Sequence, residues 1–171
     1  MTLIMILPIL TYPNKVLREP TEPVVFPLSK EIKKLTKDMI ETVRKADGIG
    51  LAAPQVGKSV KLIIVNLEKN GVPLVALYNP KILSKGFKKV DIEEGCLSLP
   101  GIFGMVRRPK KVTIQAQNSE GEVIKFTDEG WVSRVVQHET DHTNGKLIID
   151  LIKKYTQGEQ IVKDWKKEKL L

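Results

Sequence analysis

Two histidines are all this chain has, and they stand four residues apart in the run Gln137-His138-Glu139-Thr140-Asp141-His142. On a helix, residues four apart stack on one face, so His138 and His142 can each offer an imidazole nitrogen to one metal ion while Glu139 lies close enough to a water at that ion to take its proton. The run therefore requires a helix whose inner face is polar and metal-binding. Trp131, Val132, Val135 and Val136 precede the histidines at helical spacing, with Thr127 or Asp128 as a start and Gly145 as a stop. A pair of histidines can also cap a helix or fill its inner face, but two placed at random fall four apart only roughly one time in a hundred, which favours the metal.

The chain's 171 residues, 42% of them hydrophobic, are enough for a single domain with a sizeable core. No stretch of eighteen apolar residues suggests a membrane span. The opening Met1 to Leu10 is apolar, lacks a basic leader and is interrupted by Pro8, so it reads as a buried N-terminal segment rather than a secretory signal. A transit peptide would be rich in Arg and Ser, and the expectation is a cytoplasmic protein. The single cysteine, Cys96, excludes an internal disulfide and is left as a free thiol or a ligand. A net charge of +8 favours nearness to a polyanion such as RNA, yet the lysines are scattered as on a solvated surface, and nothing points to DNA.

Prolines 13, 20, 23 and 27 make residues 11 to 28 an extended, turn-rich wrap. From Ser29, Ile32, Leu35, Met39, Ile40 and Val43 recur at helical spacing and Gly48 supplies a stop. Val60 to Asn66 reads as a strand, Asn70-Gly71 as a hairpin turn, and Val72 to Tyr78 as the returning strand closed by Asn79-Pro80. Lys111 to Gln117 and Glu122 to Phe126 form a second hairpin. After the histidine helix come a short apolar run, Leu147 to Ile152, and a last helix with a capping box in Thr156 and Glu159 and lysines beside Ile161, Val162 and Trp165. Hairpins grouped between helices predict an α+β fold. Antiparallel or mixed sheets would pack around the helix that carries the histidines, with one helix before them and one at the C-terminal end, in one domain over residues 1–171.

Two further stretches carry chemistry. Gly48-Ile49-Gly50-Leu51-Ala52-Ala53 satisfies the G-x-G-x-x-A dinucleotide pattern, but a helix precedes it and Pro54 falls where that fold needs helix interior. It is then either a plain turn or a loop where glycines let a substrate approach the backbone, with Gln55 offering an amide donor. Cys96, in Glu93-Glu94-Gly95-Cys96-Leu97-Ser98, is by itself an ordinary buried cysteine. The histidines, however, need another ligand, and the downstream choices are poor: Ile148 stands where a third histidine would be, and Glu159 is already explained as a cap. Cys96 completes a Cys-His-His set and leaves a tetrahedral ion one open position.

Gly-Ile-Gly-Leu-Ala-Ala-Pro-Gln at 48 to 55, Glu-Gly-Cys-Leu-Ser at 94 to 98 and Gln-His-Glu-Thr-Asp-His at 137 to 142 resemble, in order and intact, the three motifs of the peptide deformylases. Ile9 to Pro13, Val16 to Arg18 and Pro23-Val24 are similar to the family opening, so the resemblance covers nearly the whole chain. Thr143 stands where the family usually has leucine, and 101 to 104 belong to a variable part. The resemblance implies a substrate that is a nascent chain beginning with N-formylmethionine, and formate as a product. It implies one divalent metal, Fe(II) in the cell with zinc, nickel or cobalt as substitutes in a purified sample, held by Cys96, His138 and His142. Glu139 would be base and then acid, the Gln55 amide and the Leu97 N–H would serve the oxyanion, and Gly50 would let the formyl group approach.

Ile49, Val135 and Val136 flank this chemistry as candidates for the methionine wall, and core packing explains them equally well. Glu94 would pair with Arg107 or Arg108 to steady the ligand segment, and Asp141 receives no chemistry. Two rivals remain: a zinc endopeptidase with Glu159 as third ligand, and a non-catalytic zinc module that binds RNA through lysines. The basic last helix, Thr156 to Leu171, is a candidate for transient docking on ribosomal RNA.

Overall fold

The computed structural model describes residues 3–170. The elements run α1 (Lys30–Lys45), β1 (Gly50–Ala52), β2 (Leu62–Val65), β3 (Val75–Lys85), β4 (Lys89–Gly95), β5 (Phe103–Pro109), β6 (Lys111–Gln117), β7 (Val123–Glu129), α2 (Trp131–His142), β8 (Ile152–Gln157) and α3 (Glu159–Lys167). The strands form a five-stranded sheet in the order β1-β2-β3-β6-β7 and a three-stranded sheet in the order β4-β5-β8, with antiparallel neighbours throughout. This is the expected α+β architecture.

Strand β2 explains how the layers stack. Its four apolar residues are all buried, so the strand is covered on both faces, and alternation sends them to different cores. Leu62 and Ile64 meet Leu35, Met39 and Val43 of α1, whereas Ile63 and Val65 meet Val135 and Val136 of α2. Helix α1 begins where the Ser29 side chain accepts from the Ile32 N–H, a cap that satisfies one of the free amides of the first turn. A third core, built on Leu17, Leu99, Ile102, Val106, Leu147 and Val162, joins the small sheet to α3. Helix α2 therefore lies between the two sheets, and no helix among the described residues is long and apolar enough to cross a membrane.

Several expectations are corrected. Thr127 and Asp128 do not start α2; they pair with Thr113 and Val112 in β7, and the helix begins after Gly130 turns the chain at φ +78°. Asn79-Pro80 does not end β3, because Asn79 takes φ +50° at a bulge between Tyr78 and Lys81 and the strand continues. The left-handed residue that ends α1 is Asp47, not Gly48. Thr156 lies in β8, and α3 is entered through Gly158 at φ +76°, where any side chain would run into the Gly101 carbonyl. The opening segment is less buried than expected. Leu3 to Ile6 are exposed and hang on α1 by bonds from the Met5 N–H to the Asp38 carboxylate and from the Leu7 N–H to the Thr42 hydroxyl, while Met1, Thr2 and Leu171 lie outside the described residues.

The side chain of Met39 is fully buried at the α1–sheet contact. Met39→Ala should cost about 2–5 kcal/mol, read as a lower urea midpoint with an unchanged slope.

Candidate metal centre and its cleft

Helix α2 places His138 and His142 one turn apart on a single face, with their Nε2 atoms 3.3 Å apart. The turn after β4 brings Cys96 to the same point, its Sγ 3.2 Å from His142 Nε2. All three ligand atoms lie within 4.8 Å of one another. A tetrahedral ion at ordinary bond lengths would hold two nitrogens about 3.3 Å apart and nitrogen and sulfur about 3.6 Å apart. The nitrogens already stand at that spacing, and the sulfur is only a few tenths of an ångström too close to His142. One thiolate and two imidazoles thus fit a divalent ion with little rearrangement.

A buried ion network aims the His138 imidazole, whereas His142 Nδ1 is buried with no hydrogen-bond partner among the described residues. His138 Nδ1 lies 3.0 Å from Glu94 Oε2, which leaves Nε2 to face the ligand cluster. Arg108 reaches both Glu94 oxygens, at 2.7 and 3.1 Å, and its other arm holds Asp141 at 2.6 Å. Arg134 bonds Glu94 Oε1 at 2.8 Å and the carbonyls of Val106 and Val90 at 3.0 Å each. The network ties α2 to β4 and β5 of the small sheet. Burial works to raise the Glu94 carboxyl, but hydrogen bonds from His138 and Arg108 outweigh it and hold it well below the usual carboxylate range. Of the two arginines weighed as its partner, Arg108 is the inward one in the alternation of β5 and Arg107 points to solvent.

The histidines are driven apart in their proton affinity. Burial opposes charge on both; at His138 the bonds to Cys96 and Glu94 reverse the balance and raise it, while at His142 burial and the His138 charge act together and lower it. Neutral imidazole is the form that binds metal. Glu139 lies beside the cluster, 4% exposed, and its Oε2 has no hydrogen-bond partner among the described residues. Burial pushes its carboxyl up to about 7. A side chain at Gly50 would collide with Glu139 Oε1 and come within 2.8 Å of Val135 Cγ1, so position 50 is glycine for want of space.

Gln55 is held in one orientation. Its Oε1 accepts from the Ala52 N–H at 2.8 Å, which an amide NH2 could not do, so Nε2 turns to Ser98 Oγ at 3.2 Å and Cys96 Sγ at 3.6 Å. A cleft of about 520 Å³ opens over these groups, and Ile49, Gly50, Gln55, Leu97, Val135 and Glu139 line it. Val136 does not. It is wholly buried in the core with Ala52 and Ile63, one position round the helix from Val135, which shares a face with Glu139, four residues on, and so reaches the cleft. Glu159, the rival third ligand, pairs with Lys163 on the exposed start of α3 and takes no part in the cluster.

Three contributors escaped the sequence reading. Trp131, 52% exposed, and Phe103, 38% exposed, add aromatic surface to the cleft, and Arg134 enters the buried network. A signal existed for Arg134, which stands four residues before His138 on the inward face.

A tetrahedral ion held by three protein ligands keeps one position free, and here an unpartnered carboxylate and an amide donor face it at the floor of a cleft: this is a metallohydrolase centre. Comparison with known proteins narrows the class. Residues 6–158 match the polypeptide deformylase family. Peptide deformylase 1 of Bacillus cereus is 40% identical over 156 residues, covering 91% of this chain and 98% of that protein. The crystal structure of peptide deformylase from Thermotoga maritima is 42% identical with a TM-score of 0.79, over 84% of this chain and 95% of that one. A Met-Ala-Ser bound structure of the Acinetobacter baumannii enzyme is 33% identical with a TM-score of 0.80, over 89% of this chain and 100% of that one. The chain belongs to the polypeptide deformylase family.

Replacing Glu94 by Gln leaves two arginines facing a neutral amide. The variant should lose about 3–5 kcal/mol of stability by urea denaturation and bind metal about 10–100-fold more weakly in a competition titration with a chelator.

Proposed function

We propose that this chain hydrolyses the formyl amide at the N-terminal formylmethionine of nascent polypeptides, releasing formate and a free amino terminus in the cytoplasm. The observation that carries the reading is the meeting of Cys96, His138 and His142 beside the buried Glu139, in a member of this family. Cys96, His138 and His142 would hold one divalent ion, Fe(II) in the cell, and the same donors accept zinc, nickel or cobalt. The ion, when bound, supplies Lewis acidity that lowers the pKa of water and polarises the formyl oxygen.

The remaining work falls to the protein. Glu139 takes the proton of the attacking water and returns it to the leaving nitrogen, and a carboxyl near neutrality suits both directions of transfer. The Gln55 Nε2 and the Leu97 backbone N–H donate to the oxygen as it gains charge, each contributing about 3 kcal/mol by analogy with other such donors. The bare Cα of Gly50 leaves room for Glu139 to lie against the backbone, beside the path by which the formyl group would approach.

The walls of the cleft favour an extended peptide. One wall is β1, the edge of the five-stranded sheet, and the other is β4, the edge of the three-stranded sheet. Edge strands offer unpaired backbone groups, so a peptide laid between them is gripped through its main chain whatever its sequence. The methionine side chain then lies against Ile49 and Val135, with Trp131 and Phe103 extending the apolar surface. Such a pocket discriminates by only about 1–3 kcal/mol per methylene, which predicts tolerance of norleucine. Lys163, Lys166 and Lys167 on α3 are positioned for a transient, salt-sensitive contact with ribosomal RNA.

Formate release from formyl-Met-Ala-Ser, assayed anaerobically with metal content measured on the same sample, tests this reading. Glu139→Gln should keep one metal per chain and lose turnover by about 10²–10⁴-fold; undiminished turnover would contradict it, and a zinc module that merely binds RNA would release no formate in either form. Because only ionised Glu139 accepts a proton, kcat/KM should fall as pH drops through the carboxyl's pKa. With a cation bound that limb lies at or below pH about 7, and it should be absent in the residual activity of Glu139→Gln. Changing Lys163, Lys166 and Lys167 to Gln should weaken ribosome pelleting at low salt and flatten its salt dependence.

A further inference from the structure

We propose that Ser98 is a positioning residue that aims Gln55, an inference resting on the reading of Gln55 as an oxyanion donor. Ser98 is fully buried and Gln55 is 2% exposed. They come from separate turns, Ser98 from the one that follows Cys96 and Gln55 from the 3-10 turn Ala53–Val56.

The carboxamide of Gln55 is tethered at both ends. The Ala52 N–H fixes Oε1 at 2.8 Å, and Ser98 Oγ accepts from Nε2 at 3.2 Å. Nε2 carries two protons, so engaging one with Ser98 leaves the other on the side of the Cys96 sulfur, 3.6 Å away, where the reacting group must sit. With the Ala52 tether alone the amide plane could swing about the Oε1 contact, and the N–H now turned to the Cys96 sulfur would lose its line to the site. A donor gains its catalytic value from being oriented before the reaction begins, so this loss falls on the transition state.

The two turns are also held at a fixed separation. The Leu10 N–H donates to the Gln55 carbonyl at 2.7 Å and the Tyr12 N–H to the Ser98 carbonyl at 2.9 Å. One extended segment thus binds both members of the clamp through their backbones. Removal of the Ser98 hydroxyl leaves this frame in place, which separates the hydroxyl's effect from a collapse of the turn.

The test is a double-mutant cycle on metal-loaded enzyme with formyl-Met-Ala-Ser, comparing Ser98→Ala, Gln55→Ala and the pair. Ser98→Ala should lower kcat about tenfold with KM changed less than about twofold, one metal per chain and an unmoved acid limb. In the Gln55→Ala background it should cost nothing further, since the group it aims is gone. An equal loss in both backgrounds, a fall in metal content or an undiminished kcat would each overturn the positioning role. An undiminished kcat in Gln55→Ala alone would instead remove the donor reading beneath it. Should Ser98→Ala not yield folded enzyme, Ser98→Gly deletes the same hydroxyl and is held to the same outcomes.

Discussion

A metal centre must put polar ligands where water is scarce, and in this fold the buried carboxylate of Glu94 makes that possible. Unpaired, it would cost several kcal/mol in the interior. Paired with Arg108, Arg134 and His138, it converts a polar seam between α2 and the small sheet into a rigid joint. Arg108 extends the joint to Asp141 on the next turn of the helix, so α2 is gripped at three levels: residues 134, 138 and 141. The orientation of His138, the place of β4 and the arrival of Cys96 in the turn beyond it all follow from that joint.

The opposite face of α2 obeys a simpler rule. Val135 and Val136 bury apolar surface against β1, β2 and β6, and this packing sets how close the helix comes to Gly50. The site is thus clamped by charge on one side and by apolar contact on the other. Between the two supports lies a cleft whose walls are the free edges of two different sheets, one carrying Gly50 and the other leading to Cys96. An extended peptide needs main-chain partners along its length and a point of chemistry at one end, and this arrangement offers both.

How much of this could be read beforehand depended on whether the signal was local. Cys96, His138, His142 and Glu139 were legible because metal chemistry restricts residue type and spacing, and because the chain has no other Cys or His with which to confuse them. Helix α1 was legible from its periodicity, and the β6–β7 hairpin from alternation and its turn. Strands β4 and β5 were missed although they alternate, since Glu94, Gly104 and Arg108 break the apolar series of Val90, Ile92 and Val106 on their inward sides. Val136 was offered to the methionine wall because nearness in sequence does not tell one helix face from the next. Asn79 and Thr156 misled for a related reason: turn and cap propensities are local, and strand pairing overrode both. Of the Glu94 partners, Arg108 was one of the two arginines expected, whereas Arg134 and His138 needed the tertiary structure, as they come from a helix forty residues on.

The central claim is that three protein atoms, one sulfur and two imidazole nitrogens, hold a divalent ion whose fourth position is open. X-ray absorption spectroscopy on the metal-loaded protein tests it directly. The account predicts one sulfur scatterer at about 2.3 Å and two imidazole nitrogens at about 2.0–2.1 Å, with one light-atom ligand that exchanges when a small anion is added. A first shell without sulfur, or one closed by four protein ligands and indifferent to added anion, would contradict it.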